Sequence, residues 1–494
     1  MRIKIHGFAF AFAALLAAGT AWAQPTGTFR QAHEVSSGNA SDLDPISKGR
    51  VFQITEKLMS RLVRPDLDGK PSPDLAVSWS ANADATEWTF KLRDGVKFHN
   101  GKPFTAADVV YSLNRVLDPK IDSPARAVIK MITSVQAVDP LTVRLTIAAP
   151  FADLPLIISD YRIRMIPEGS GDTIRSTGIG TGPFKLEHFD AQGTSTLTSN
   201  RDYWEGPPGV ARVEVIGIPD AQARVQALLG KQIDMEAGIT RQQRPLLERA
   251  KFQIQEVPTG NWRGIVFRTD TKPFDDVRVR KAIRMLVDRK AMLDLVLGGA
   301  GVIGCDTPVG PRDQYRSHLA CAQDVAGAKR LLAEAGYANG LSFDLHTSTV
   351  ESVFPAIAEV FQQQVAAAGI KVNIVQAPSD GYFSEVWMKK TVTMTRWNER
   401  PADGALNEIY SSNATWNESF FKDPKFDTML AAARKELDFT KRHDDYVAAQ
   451  DYLWDNGGTY VVFHVNVLVG LAPNVTGIDP VENFTIRWNK VKVN

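Results

Sequence analysis

The sequence has little cysteine and no surplus of charge, and both shortages exclude classes of protein. Its 494 residues include two cysteines, and 57 Lys and Arg residues stand against 56 Asp and Glu. A net charge of +1 creates no field that would hold a nucleic acid or an anionic membrane surface. No nucleic-acid partner is therefore expected. The 36 glycines and 27 prolines are too few for a collagen-like or low-complexity chain.

Long apolar runs are absent beyond the first 23 residues. Residues 8–18 are almost entirely apolar, follow Arg2 and Lys4, and precede the small-x-small pattern of residues 21–23. The run is too short for a membrane span; a buried N-terminal helix is the alternative to a signal peptide. Cleavage after residue 23 would leave 494 − 23 = 471 residues and a charge of 55 − 56 = −1. Because no cysteine follows the run, we expect a periplasmic protein that is not a lipoprotein.

The two cysteines, Cys305 and Cys321, lie in a stretch rich in glycine and proline. In an oxidising compartment an isolated pair of this kind predicts a disulfide. A two-cysteine metal site is the alternative, but no histidine follows at ligand spacing. Closing a loop of this size is worth roughly 3 kcal/mol in the chain-entropy model.

Catalytic motifs are also missing. The sequence has no HExxH, no GxSxG and no Walker-type GxxxxGK[ST], and its 8 histidines are scattered. Gly178, Gly180 and Gly182 form a GxGxG run, but Pro183 follows directly, so we predict a tight turn into a strand and no phosphate cradle. We predict no catalytic residue, no metal and no cofactor, although a glycosidase-type pair of carboxylates stays open.

Helix and strand signals alternate along the chain, which favours an α/β fold. Apolar and polar residues alternate over 88–93 and 142–148, as in half-buried strands. Helices are predicted by their caps and apolar spacing after Thr105, from Asp220 to Gly230, from Asp275 to Gly298, from Asp324 to Gly336 and over 354–368, the last followed by a strand at 371–376.

Six phrases, in a fixed order, carry a family resemblance. Residues 75–116 read LAVSWSANADATEWTFKLRDGVKFHNGKPFTAADVVYSLNRV, and this stretch closely resembles the signature of family 5 extracellular solute-binding proteins. That family comprises the large peptide, opine and nickel receptors of ABC importers. The other phrases are GTGPF (180–184), NRDYW (200–204), IPD (218–220), VQALLGKQID (225–234) and PFDDVRVRKAIRMLVDR (273–289). We interpret residues 75–116 as packing and turn residues outside the ligand site.

The resemblance implies a two-lobed periplasmic-binding-protein type II fold with an extra inserted subdomain. On this basis the first lobe comprises residues 24–55, the inserted subdomain 56–177, residues 178–265 and the returning tail 471–494. The second lobe is residues 266–470. The implied function is capture of a small-molecule or peptide ligand between the lobes and delivery to ABC permease and ATPase subunits in the inner membrane. No enzyme activity is implied, and a monomer is expected.

The segment at residues 393–403, TMTRWNERPAD, is where the resemblance places ligand recognition. In peptide-binding relatives a Trp in this phrase is followed three positions later by an Asp that pairs with the peptide's amino terminus. Here Trp397 matches, but the third position on is Arg400. The phrase is similar to a variant, W-x-x-R-P-x-D-G, of relatives that bind glutathione-like or other peptide-like solutes.

Arginine offers a planar fork of donors that suits a carboxylate, and tryptophan offers a flat wall. We therefore predict that Arg400 anchors a ligand carboxylate beside Trp397, with Asn398 and Asp403 as polar partners. The alternative is an internal ion pair of Arg400 with Glu399 or Asp403.

Further aromatic and polar candidates are Tyr382, Trp416 and Asn417, with Trp262 at the predicted hinge; for each, core packing is an equal alternative. We also expect a local charge cluster in which Arg396 and Arg400 face Glu399 and Asp403. Two other functions stay open: a secreted hydrolase with paired carboxylates, and a ligand-sensing or chaperone protein on the same fold.

Overall fold

The computed structural model describes residues 24–35, 41–66, 68–121, 123–479 and 486–494, so the predicted signal peptide lies outside the described residues. Its strands are Thr28–His33 (β1), Val63–Pro65 (β2), Pro71–Pro73 (β3), Ala76–Ala81 (β4), Glu87–Leu92 (β5), Ile132–Asp139 (β6), Thr142–Ile147 (β7), Phe184–His188 (β8), Thr194–Ser199 (β9), Arg212–Gly217 (β10), Met235–Ala237 (β11), Gln253–Phe267 (β12), Gly301–Ile303 (β13), Ser342–Ser348 (β14), Lys371–Ala377 (β15), Val392–Trp397 (β16), Thr459–Leu471 (β17), Val475–Thr476 (β18) and Lys492–Val493 (β19).

The α-helices of the described residues are Phe52–Leu58 (α1), Ala106–Leu117 (α2), Arg126–Ile129 (α3), Leu154–Ile157 (α4), Ile174–Thr177 (α5), Ala221–Leu229 (α6), Arg244–Arg249 (α7), Val277–Met285 (α8), Arg289–Leu297 (α9), Val325–Glu334 (α10), Phe354–Val365 (α11), Ala402–Tyr410 (α12), Pro424–Lys435 (α13) and Phe439–Asn456 (α14). A 3-10 turn covers Ala366–Ala368, and a π-helical turn covers Tyr382–Val386.

One large mixed sheet runs through the molecule. Within the described ranges it has 11 strands in the order β15-β14-β16-β12-β17-β11-β1-β10-β9-β8, with β13 paired to β17. A separate antiparallel sheet has the order β4-β5-β7-β6. Helices cover the sheets and strands alternate with helices along the chain, which is the α/β architecture that the sequence predicts.

Two long strands connect the two halves of the large sheet. Residues 253–257 of β12 pair with the part of β17 that also pairs with β11. Residues 262–266 of β12 pair with another part of β17 on one side and with β16 on the other. The ladder is irregular between Pro258 and Trp262. We call the part on the β1 side, together with the β4–β7 sheet, the first lobe, and the part that holds β14–β16 and α8–α14 the second lobe. The chain thus crosses between lobes at the irregular stretch, residues 258–262.

Each lobe is built around its own apolar cores. In the first lobe, Phe29 of β1 and Leu228 of α6 belong to one buried cluster, and Phe90 of β5 and Leu113 of α2 belong to another. In the second lobe, Phe361 of α11 belongs to a cluster under the sheet, and a further aromatic cluster contains Trp262, Trp397, Tyr315, Tyr410 and Tyr446. The β4–β7 sheet therefore has a core of its own, while the domain boundaries predicted from the sequence stay a prediction.

Most cap and strand predictions are confirmed. Strands β5 and β7 bury alternate residues, and α2 follows Thr105, which forms a capping box with Asp108. The Asp220 and Asp324 side chains accept hydrogen bonds from the first-turn amides of α6 and α10. Each short polar side chain satisfies a helix N–H that has no intrahelical partner.

The single helix predicted from Asp275 to Gly298 is wrong, because the structure has two helices there. Helix α8 ends at Met285, and α9 begins after Asp288, whose carboxylate accepts a hydrogen bond from the Ala291 amide. A buried ion pair also helps to separate the two helices, since Arg289, the first residue of α9, donates two hydrogen bonds of 3.0 Å to Asp306. Both helices pack on the same core, so their apolar spacing continues across the break.

The glycine run before β8 is a turn that passes closely over α1. A Cβ at Gly180 would lie 2.1 Å from the Leu58 carbonyl oxygen, and one at Gly182 would lie 2.4 Å from the Lys57 carbonyl oxygen. Strand β8 begins two residues later at Phe184. Glycine is therefore required for close backbone approach, and the predicted turn into a strand is confirmed.

The β4–β7 part of the first lobe touches the second lobe directly. The Asp153 carboxylate accepts a hydrogen bond of 2.7 Å from the Tyr315 hydroxyl and pairs with Arg442 at 3.1 Å. Nearby, the Arg434 guanidinium lies 5.5 Å from the centre of the Phe151 ring. Burial raises the pKa of Asp153 to about 6, against the opposing effect of Arg442. This contact joins the lobes separately from the crossing strands.

The predicted disulfide between Cys305 and Cys321 is present, with the two Cα atoms 5.5 Å apart. It closes the loop that carries Tyr315, one of the side chains in the interlobe contact. Among the described residues, no helix is long and apolar enough to cross a membrane.

Candidate functional site

The edge of the second lobe that faces the first lobe is fixed by strand direction. Strand β12 enters the second lobe at Trp262, and its antiparallel neighbour β16 ends opposite, at Trp397. Strands β14 and β15 run parallel to each other, and β14 is parallel to β16. Their carboxyl ends therefore lie at the same edge, which is where open α/β sheets bind ligands.

The first lobe presents the end of β1 to the same space. Strand β1 is parallel to β11, and β11, like β12, is antiparallel to β17, so β1 also points toward the second lobe. A cavity of about 170 Å³ lies at its end, lined in part by His33, Glu34, Arg50 and Gln53. Burial lowers the pKa of His33, and the Arg224 charge adds to this effect. His33 is therefore neutral at pH 7.

Trp397 lies at the centre of an aromatic cluster. Its ring stacks on Trp262 with centroids 6.5 Å apart and meets Trp387 at 6.2 Å and Trp416 at 5.8 Å. Trp262, at the predicted hinge, is 1% exposed and Trp397 is 8% exposed, whereas Trp416 is 42% exposed. Packed rings of this kind have few alternative rotamers, so the cluster forms a rigid wall.

A buried carboxylate, Glu418, holds this wall from behind. It accepts hydrogen bonds from the indole N–H groups of Trp387 (2.5 Å) and Trp397 (3.1 Å) and from the Thr395 hydroxyl (2.6 Å). Burial raises the pKa of Glu418 to about 7, against the lowering effect of these three donors. The carboxylate fixes the rotation of two indole rings at once.

Arg400 lies on the exposed side of the wall. Its guanidinium carbon is 5.0 Å from the Trp397 ring centre and 5.8 Å from that of Trp416. Its Nε donates to Glu408 at 2.7 Å, and its Nη1 donates to the Asn398 carbonyl oxygen at 3.3 Å. In the described part of the chain, Nη2 has no partner. The ion-pair partner is thus Glu408, and the pairing with Glu399 or Asp403 considered as an alternative is wrong.

Helix α12, which carries Glu408, lies toward the first lobe. Hydrogen bonding to Asp160 raises the pKa of Arg162 in the first lobe, burial opposes this rise, and Glu408 adds a weaker raising effect from across the cleft. Glu408 therefore pairs with Arg400 in the second lobe and also interacts electrostatically with Arg162 in the first lobe.

Glu399 ties the Trp397–Arg400 segment to the crossing strand. Its carboxylate accepts a hydrogen bond of 3.0 Å from the Gly260 amide, and its own amide donates to the Asn261 side chain at 2.9 Å. Gly260 has no room for a side chain, because a Cβ there would lie 2.5 Å from the Glu399 Cγ. The Trp397–Arg400 segment and the interlobe crossing are thus one hydrogen-bonded unit.

Three predicted ligand contacts have internal partners. Asp403 is buried, receives two hydrogen bonds from Arg434 at 2.7 and 2.9 Å and one from the Tyr446 hydroxyl at 3.1 Å. The Tyr382 hydroxyl donates to backbone carbonyls of β14 and β16. Asn417 bonds both backbone polar groups of Phe421.

The structure therefore brings together Trp397, Asn398, Arg400 and Trp416 at the cleft edge, with the Asn398 side chain exposed. The expected charge cluster is wrong, since Arg396 pairs with Glu351 and Asp403 pairs with Arg434. Sequence reasoning did not assign a role to Glu418. The only local signal was its position directly after Trp416 and Asn417 in the phrase WNES.

No metal centre is visible in the described ranges, where no group of three or more His, Cys, Asp or Glu residues could hold an ion.

Comparison with protein families gives one match over most of the chain. Residues 70–418 match the model for "Bacterial extracellular solute-binding proteins, family 5 Middle". Among curated relatives, the glutathione-binding protein GsiB of Escherichia coli strain K12 is 28% identical over 462 residues, which cover 89% of this chain and 90% of GsiB.

Solved structures with the same fold cover nearly the whole chain. The murein tripeptide-binding protein MppA, in its unliganded open form, has a TM-score of 0.84 at 23% identity and covers 96% of this chain and 99% of MppA. The periplasmic protein DppA from Helicobacter pylori, in complex with the peptide STSA, has a TM-score of 0.69 at 23% identity, with coverages of 95% and 98%. These likenesses show a two-lobed type II fold.

Proposed function

Because this chain belongs to the family 5 bacterial extracellular solute-binding proteins, we propose that it captures a short peptide or peptide-like solute that carries a carboxylate. The solute binds between the lobes, and the closed protein delivers it to the permease and ATPase subunits of an ABC importer. Arg400 binds the carboxylate and Trp397 and Trp416 form the adjoining wall. The protein acts as a periplasmic monomer without catalysis, after removal of residues 1–23.

The position of Arg400 is the observation that carries this proposal. Its guanidinium is held by Glu408 beside the Trp397 ring, 5.0 Å from the ring centre, while Nη2 finds no partner among the described residues. A preoriented guanidinium loses little side-chain entropy when it binds a carboxylate. The similarity to a glutathione-binding relative supports the same class of solute.

The closing motion follows from the same geometry. A solute that contacts Arg400 in the second lobe and the end of β1 in the first stabilises the closed arrangement by its extra contacts.

The test is ligand binding by Arg400→Ala, compared with wild type and a control variant. Arg278→Ala is the control, because Arg278 is also an exposed arginine paired with a carboxylate, but it bonds the end of α10, away from the cleft edge. Calorimetry with free di- and tripeptides, glutathione and opines should show a loss of about tenfold or more for Arg400→Ala, as for a hydrogen bond to a charged group. Equal affinity of folded Arg400→Ala and wild type would refute the anchor.

A further inference from the structure

Two arginines lie side by side at the cleft edge and share one carboxylate. Arg263 of β12 and Arg396 of β16 are directly opposite each other in the strand register. Arg263 Nη2 is 3.2 Å from Glu351 Oε1, and Arg396 Nη1 is 3.5 Å from Glu351 Oε2. In the described part of the chain, Glu351 is the only carboxylate paired with either arginine.

The arrangement leaves positive charge uncompensated. Like charges directly opposite on neighbouring strands are destabilising, and two guanidinium groups with one carboxylate leave a net charge of about +1. The Arg263 Nε is buried and has no hydrogen-bond partner. Burial lowers the pKa of Arg263, and Arg396 adds to this effect while Glu351 opposes it. The packing of the lobe alone gives no reason for this pair.

The pair adjoins the Trp397 wall on the opposite face of the strands. Arg263 and Arg396 lie one position further from the cleft than Trp262 and Trp397, the pair at which the β12–β16 ladder ends. Because side chains alternate along a strand, Arg263 and Arg396 lie on the face of Ile265 and Met394. Glu351 precedes α11, so the positive end of that 12-residue helix points to the same edge.

Exposure differs between the two arginines in a way that suits binding. The Arg263 side chain is 13% exposed and Glu351 is 16% exposed, whereas Arg396 is 44% exposed. The Arg396 guanidinium lies over the Phe383 ring at 5.5 Å, and apart from its ion pair with Glu351 it makes no hydrogen bond to the described residues. One arginine is therefore fixed within the lobe, and the other still has donors available to an incoming anion.

We propose that Arg263 and Arg396 form a second anion subsite, which binds a second carboxylate of the solute. Glu351 holds the two guanidinium groups in place in the empty site and competes with the incoming carboxylate. This inference rests on the proposed function and narrows it, because the preferred solutes are then dicarboxylic peptides and peptide-like compounds. A solute with one carboxylate uses Arg400 alone.

The experiment compares matched peptides in wild type, Arg396→Gln and Glu351→Gln. One matched pair is glutathione, which has two carboxylates, and glutathione amidated at its glycine, which has one. The other pair is a dipeptide ending in glutamate, which has two carboxylates, and the same dipeptide ending in glutamine, which has one. Wild type should prefer the dicarboxylic member of a pair by about tenfold or more. Arg396→Gln should abolish that preference and bind the monocarboxylic member within about twofold of wild type.

Glu351→Gln separates binding from a structural role. Removal of the competing carboxylate should raise affinity for the dicarboxylic peptide by a few fold, in the opposite direction to Arg396→Gln. A purely structural Glu351 would instead lower affinity for both members equally. Unfolding midpoints of both variants confirm that they are folded.

The outcomes distinguish this inference from the proposed function. If wild type binds both members equally and Arg400→Ala weakens both, the second subsite is refuted and the carboxylate anchor stands. If no peptide binds, both fail. If inorganic phosphate raises the unfolding midpoint of wild type but not of Arg396→Gln, and dicarboxylic peptides show no preference, the pair binds phosphate and the carboxylate assignment is refuted.

Discussion

Replacement of Glu418 by glutamine tests whether the Trp397 wall depends on a buried, titrating carboxylate. Glu418 accepts three hydrogen bonds at 2.5, 2.6 and 3.1 Å, and burial raises its pKa from an ordinary 4.5 to about 7. A carboxyl with a raised pKa in the folded state binds its proton more tightly there than in the unfolded chain. Wild-type stability should therefore fall as the pH rises from 4.5 through 7 and level off above it.

The size of the effect follows from the two pKa values. Between pH 5 and pH 8 this one group changes the free energy of unfolding by about 2.5 kcal/mol, at 1.36 kcal/mol for each pKa unit. Glutamine does not titrate, so Glu418→Gln should lose this component. The other buried carboxyl with a similar value, Asp313 at about 7, is unchanged in the variant and cancels in the comparison.

The assay is guanidinium unfolding of both proteins at pH 5 and pH 8, followed by tryptophan fluorescence. We expect the variant to be less stable relative to wild type at pH 5 than at pH 8, by about 2.5 kcal/mol. The fluorescence of the folded variant should also differ, because one indole N–H in the cluster faces an amide N–H₂ and loses its acceptor. An equal loss of stability at the two pH values would refute the reasoning.

Three further variants test packing, the disulfide and the interlobe contact. Gly182→Ala should cost about 1–3 kcal/mol of stability, because the added Cβ would stand 2.4 Å from a backbone carbonyl oxygen. Gly230→Ala is the control, since a Cβ there would lie 3.3 Å from its nearest neighbouring atom. A loss for Gly182→Ala no larger than that for Gly230→Ala would contradict this prediction. Cys305→Ser should lower stability by roughly 3 kcal/mol for a loop of 16 residues and make unfolding insensitive to dithiothreitol; a persistent response to reductant would be inconsistent with the assignment. Asp153→Asn should cost about 1.4 kcal/mol more stability at pH 5 than at pH 8, because a carboxyl whose pKa is raised from 3.8 to about 6 in the folded state makes the wild type lose stability as the pH rises through that range. Equal costs at both pH values would show that Asp153 titrates alike in the folded and unfolded chains.

Local elements of this fold follow from the sequence where one short-range interaction decides them. Thr105 predicts the start of α2 because its capping partner, Asp108, is three residues away. The predicted disulfide depends on composition and compartment, and it is present. The helix predicted from Asp275 to Gly298 failed because its break depends partly on Asp306, a residue beyond the segment.

The ionic partners at the cleft could not be predicted for a related reason. Nearness in sequence suggested that Arg400 would pair with Glu399 or Asp403. The chain turns sharply from β16 into α12 between these residues, so Asp403 points inward to Arg434, 31 residues later, and Glu399 points to the crossing strand. A wall at Trp397 was predicted from its large flat ring, with Trp416 as a further candidate for which core packing was an equal alternative. Contact of either ring with a solute stays a prediction. The support of the wall by Glu418 required the tertiary fold.

The bond between Glu399 and Gly260 changes what a dissociation constant means for this protein. The segment that we propose faces the solute is attached to the strand that crosses between the lobes. A measured constant is the intrinsic one divided by the fraction of molecules whose lobes are competent to bind. Two solutes with identical contacts to Arg400 therefore differ in affinity if one of them displaces Glu399. Selectivity in such a receptor is determined by the cost of bending the strand as well as by the fit of the cleft.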